Sequence, residues 1–109
     1  MAYDEVLAGR LRDLLGDAAG ITAKKMFGGL CFLEHGHMIA GIMGDGMIVR
    51  IGADNKEAAL ARPGVGEFDF TGRPMRGFVV VAGEYLDDDQ LAEWLETGRK
   101  SAASLPPKS

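Results

Sequence analysis

The chain has 109 residues, of which 47% are apolar and 26% charged, and its formal net charge is −4 at pH 7. That is the length of one domain, with enough apolar mass to bury a core without disulfide or metal staples. The negative balance disfavours direct nucleic-acid binding, and no apolar run approaches the roughly 18 residues of a membrane span. The start, Met1-Ala2-Tyr3-Asp4-Glu5, is acidic and lacks the basic region and apolar run of a secretory leader, so the expected compartment is the cytoplasm.

The segment from Asp4 to Leu15 carries helical periodicity, with Tyr3, Leu7, Leu11 and Leu14 on one stripe flanked by Val6 and Leu15. Glu5 suits the helix start, and Gly16 with Ala18-Ala19-Gly20 ends it. Gly9 weakens the helix by about 1 kcal/mol relative to alanine and invites a close neighbour. From Lys24 to Ile51 the pattern turns to short apolar runs. Strands are expected over Met26–Leu33, His37–Met43 and Met47–Ile51, with turns at Glu34-His35-Gly36 and at Gly44-Asp45-Gly46, which contains the Asp-Gly hairpin pair. Asp54 to Glu57 has the spacing of a capping box before a short helix that Pro63 and Gly64 stop. Short strands follow over Glu67–Phe70 and Phe78–Ala82, with the loop Thr71-Gly72-Arg73-Pro74 between them. A last helix opens at Asp87, with Gln90 in the capping-box position. Its inner stripe is Leu91, Trp94, Leu95, Gly98, Ala102 and Leu105, and Pro106-Pro107 stops it. The expected fold is α+β in the order α-βββ-α-ββ-α, with helices packed on one face of an antiparallel five-stranded sheet.

The motifs of chemistry are thin. There is no phosphate-cradling GxxxxGK[ST] loop, and Gly64-Val65-Gly66 runs on into Glu67-Phe68 rather than opening a helix. Cys31 is the single cysteine and sits in the apolar run Gly29–Leu33, which predicts a buried, inert thiol. His35 and His37 are the two histidines, and with Cys31 and Glu34 they fall short of a converging ligand set, so no metal is expected. The serines lie in the last nine residues, where no rigid base or oxyanion site accompanies them. Asp87-Asp88-Asp89 reads as a helix start rather than a carboxylate cluster. No catalytic residues and no cofactor are expected. Lys25, Arg50, Arg73 and Arg76 remain as candidate binding residues. Lys24-Lys25 precedes a glycine-bearing strand, and two arginines sit on the loop Phe70–Gly77, where guanidinium groups suit a carboxylate or phosphate.

These residues also carry a resemblance. The opening Met-Ala-Tyr-Asp-Glu, Lys25-Met26-Phe27-Gly28-Gly29, Met38 with Gly41, Arg50, Asp69-Phe70-Thr71-Gly72-Arg73-Pro74-Met75 and the Trp94 helix running to Leu105-Pro106 resemble the TfoX/Sxy N-terminal domain. The resemblance implies a bent antiparallel sheet packed by helices, similar to secretion chaperones, and kinship with regulators of bacterial natural competence. In those regulators a C-terminal domain follows. This chain ends at Ser109 and is expected to stand alone, with the domain over 1–105 and a disordered tail over 106–109.

The expected function is a non-enzymatic interaction or regulatory module that meets a protein partner or a second copy of itself. The alternative is a small anionic-ligand binder using Lys25, Arg50, Arg73 and Arg76. A membrane partner is not expected.

Overall fold

The computed structural model describes residues 3–16, 19–26, 28–69 and 74–105, with the side chains of residues 53 and 74–76 left out. Helix α1 spans Glu5–Leu15, where Asp4 caps the start by accepting from the amides of Val6 and Leu7 at 2.9 and 3.1 Å. Its buried stripe is Leu7, Ala8, Leu11 and Leu15. The i, i+4, i+8 spacing from Leu7 runs through Leu15, so Leu14 lies outside the stripe and is exposed. Around Gly9 there is open space rather than the close neighbour expected of it.

Six strands follow, not five: β1 (Ile21–Met26), β2 (Gly29–Glu34), β3 (His37–Met43), β4 (Gly46–Arg50), β5 (Val65–Asp69) and β6 (Pro74–Val81). The expected strand from Met26 to Leu33 is β2 from Gly29 onward, while Met26 ends a separate strand, β1, that lies ahead of it and pairs with β2. Four of the six residues of β1 are exposed, so no apolar alternation announced it. The sheet is antiparallel in the order β1-β2-β3-β4-β6-β5. β1 to β4 form a meander. β5 then passes to the outer edge and β6 returns between it and β4.

The turns follow backbone chemistry. His35 and Gly36 both have positive φ, 52° and 86°, the requirement of a two-residue I′ hairpin between β2 and β3. Histidine tolerates that region better than branched or bulky residues. The β3–β4 turn is built on Gly44 at φ 61° and Asp45, while Gly46 already pairs with Met43 as the first residue of β4. The turn thus falls within the expected Gly44-Asp45-Gly46 segment, and β4 starts one residue earlier than the expected Met47.

Helix α2 (Lys56–Leu60) follows a 3₁₀ turn over Ala53–Asn55. The expected capping box at Asp54 is not formed. Asn55 stands at the N-cap without a side-chain cap bond, and its amide group donates to the Ile51 carbonyl instead. Helix α3 (Asp88–Ala103) opens as expected, with Asp87 accepting from the Gln90 amide at 2.8 Å. The Gln90 side chain does not reach back to complete a capping box; it accepts from Arg62 at 2.7 Å. Leu91, Trp94, Leu95, Gly98 and Ala102 are buried, while Leu105 lies past the helix end and is exposed.

All three helices contribute to one core layer. Leu7 and Leu11 of α1, Ala59 of α2, and Leu91, Trp94 and Leu95 of α3 meet Phe32, Ile42, Met47, Val49, Val79 and Val81 of the sheet. α3 crosses β3 and β4 at Gly98, where an added Cβ would strike the carbonyl oxygen of Ile39. Absence of a side chain there lets helix and sheet backbones touch. The start of the chain is tied to the β3–β4 turn, through the Asp4 amide donating to Gly44 O at 2.7 Å.

Candidate functional site

Strand alternation divides the sheet residues between two faces. Where Leu30, Phe32, Ile42, Met47 and Val49 face the helices, Cys31, Met38, Ile48, Phe68 and Phe78 face the other way and form a second buried cluster. Half-buried Met26, Leu33, Met43 and Val80 border it. Among the described residues no helix contributes to this second layer. A bulge between Phe32 and Leu33 shifts the β2–β3 register, so that Leu33 and Met38 stand opposite each other on this side. Phe68 and Phe78 meet edge to face, with ring centroids 6.5 Å apart.

Cys31 lies within this layer, fully buried. Desolvation pushes its thiol up to about 11, which leaves it protonated at neutral pH. Gly41 beside it makes room for the sulfur: a Cβ on residue 41 would come within 2.9 Å of Sγ. The thiol is a packing group, as the apolar run around it implied.

Arg50 ends β4 on the same face, opposite Phe78. Its guanidinium carbon lies 4.6 Å from the centre of the Phe78 ring, and Nε donates to the Met38 carbonyl at 2.6 Å. The side chain is half-buried, and burial lowers its pKa. Among the described residues no carboxylate forms an ion pair with it. By contrast Arg10, Arg62 and Arg99 each hold an acidic partner, at 2.9, 2.9 and 2.8 Å.

The other candidate residues do not join Arg50. Lys25 is exposed in β1 opposite Leu30, which points to the helix side of the sheet. Three strand spacings, about 14 Å of sheet width, and the sheet itself separate it from Arg50. Arg73 lies outside the described residues. Arg76 belongs to β6, but its side chain is not described. The structure therefore brings neither described candidate to the other.

The histidines sit elsewhere. A surface cleft of about 530 Å³ is lined by Glu34, His35, His37, Glu96, Arg99, Lys100 and the end of α3. Arg99 donates twice to Glu34, Nε to Oε1 at 2.9 Å and Nη2 to Oε2 at 2.8 Å. This hydrogen bonding holds the Glu34 carboxyl below its ordinary range. Its carboxylate is committed to Arg99, and among the described residues no group of three or more His, Cys, Asp or Glu is placed to hold a metal ion. Asp87 caps α3, and Asp88 pairs with Arg10. The Glu34–Arg99 link, like the stacking of Arg62 over Trp94 at 4.2 Å, joins residues too far apart in sequence for any local pattern to signal it.

The model of the TfoX N-terminal domain matches residues 13–102 of the chain. The chain belongs to the TfoX N-terminal domain family. The match runs from within α1 to the last turn of α3, so all six strands and both faces of the sheet belong to the TfoX domain. Searches of curated proteins and of solved structures find no significant match.

Proposed function

We propose that this TfoX domain is a non-enzymatic interaction module of the cytoplasm, related in role to the first domain of competence regulators, and that it meets another protein surface through the face of the sheet away from the helices. A second copy of the chain is the first partner to test. The observation that carries this reading is the second apolar layer. Five buried residues are bordered by four half-buried ones, and no described helix packs there. The five are buried within the chain, and the apolar surface left on this side belongs to Met26, Leu33, Met43 and Val80, which a partner surface would cover. The net charge of −4 favours a protein over a nucleic acid. The alternative of a small anionic ligand held by a Lys/Arg cluster draws no support from Lys25 and Arg50, which stand on opposite faces.

Sedimentation velocity over a range from micromolar to near-millimolar protein tests the self-association. Concentration-dependent dimerisation is expected, and Leu33→Asp or Met43→Asp is expected to shift the protein to monomer without changing its circular dichroism. A wild-type chain that stays strictly monomeric across the range overturns it.

A further inference from the structure

The half-buried guanidinium of Arg50 breaks a general rule. Charges withdrawn from water are normally paired, because desolvation costs more than an unpaired charge regains. Among the described residues the Arg50 side chain has one hydrogen bond, from Nε to Met38 O, and one ring face, Phe78. Those two contacts fix the plane of the guanidinium. They use Nε and leave the Nη1 and Nη2 end without an acidic partner among the described residues. That end matches a carboxylate, whose two oxygens accept two parallel N–H bonds. Around it lie apolar groups: Phe78 and Met38 directly, and Leu33 opposite Met38. Lysine would not serve here, since its ammonium neither stacks flat on the ring nor presents a fork.

From this arrangement we propose that Arg50 is the anchor of the interaction face and that it receives an aspartate or glutamate side chain of a partner protein, carried beside an apolar residue that packs on half-buried Leu33. The inference rests on the interaction-module reading above and adds the chemistry of the partner. Charge complementarity selects this occupant: Arg50 is held in place by Met38 and Phe78, has no acidic partner among the described residues, and stands beside an apolar border. Pairing inside an interface, away from water, strengthens the ion pair over the value of an exposed one, and truncation of such anchors is typically felt strongly.

The probes are two capped peptides, acetyl-Leu-Asp-Leu-amide and acetyl-Leu-Asn-Leu-amide, titrated into the full chain and followed by NMR of backbone amides and the Arg50 Nε–H. The aspartate peptide is expected to shift Arg50, Met38 and Phe78, with at least tenfold weaker response from the asparagine peptide. Arg50→Met is expected to abolish the response while leaving the melting temperature unchanged or higher, because a well-packed apolar chain replaces an unpaired charge. Arg50→Lys is expected to keep the fold and lose most of the response. Equal shifts from both peptides, shifts confined to other surfaces, or a response that survives Arg50→Met overturns the proposal. So does an Arg50→Met chain that is strongly destabilised, since the guanidinium then serves the fold. Acetate alone producing the full response also overturns it, by making the site one for small anions. None of these outcomes touches the dimerisation measurement, so the anchor falls independently of the interaction face. If instead the chain dimerises and Arg50→Met abolishes dimerisation, the acidic side chain comes from a second copy and the proposal stands.

Discussion

At the scale of single residues, two glycines in helices carry opposite meanings. Gly9 sits in α1 with nothing near the position a Cβ would take. Gly98 sits in α3 against the Ile39 carbonyl, with the Arg50 carbonyl 3.7 Å away. The same substitution therefore has opposite signs. Gly9→Ala is expected to stabilise the domain by about 1 kcal/mol through helix propensity and reduced unfolded-chain entropy. Gly98→Ala is expected to destabilise it by about 1–3 kcal/mol, because the helix must rise off the sheet to admit the methyl group. Urea unfolding of both variants checks the pair, and equal shifts in either direction defeat the argument. Sequence placed both glycines on helices and set Gly98 on the inner stripe, but the environment of Gly9 depends on what lies beside α1, which no periodicity reports.

Among the elements, legibility followed apolar pattern. β3 was readable in full because His37–Met43 is flanked by turns and rich in buried side chains. α3 was readable through its cap at Asp87 and its spacing of Leu91, Trp94, Leu95 and Gly98. β1 was missed because Thr22-Ala23-Lys24-Lys25 is exposed: an edge strand held by backbone pairing to β2 needs no alternation. Lysines on such an edge also discourage another strand from adding to it. The candidate site was half legible. Arg50 stood out as a charge inside a strand, yet its grouping with Lys25 failed, since a missing strand changes both the face and the distance assigned to every later residue.

One link between elements carries a pH signature. Glu34, at the end of β2, is held by Arg99 of α3, and the hydrogen bonds lower its pKa from the ordinary value of 4.5. A carboxyl whose folded value lies below its unfolded value stabilises above the unfolded value and loses that stabilisation as pH falls through the folded one. Glu34→Gln is therefore expected to lower the melting temperature at pH 7. Its difference from the parent chain is expected to shrink steadily as pH falls below about 4.5. A difference that stays constant between pH 7 and pH 3 would show that the carboxylate charge contributes nothing.

Across the whole molecule, two apolar layers share one sheet. The helix-side layer accounts for the fold, with side chains from all three helices closing over β2, β3, β4 and β6. The second layer is smaller and contains the buried thiol of Cys31, with Arg50, half-buried and without an acidic partner among the described residues, on the same face. On the proposed reading stability and recognition fall on opposite sides of a single sheet, and a substitution on the outer side is expected to alter binding without unpicking the helices. The family match covers both layers together.

The position of β6 between β4 and β5 has a consequence for the order in which the chain leaves the ribosome. Residues up to Arg50 emerge as a meander whose last strand has an open flank, and that flank is closed only when Pro74–Val81 has been made. The lid over β3 and β4 comes later still, with Asp88–Ala103. The interior is sealed only once Asp88–Ala103 has been made, so the nascent polypeptide carries Ile42, Met47 and Val49 uncovered until then. A prematurely terminated product lacking the final helix would be a ready substrate for chaperones and proteases.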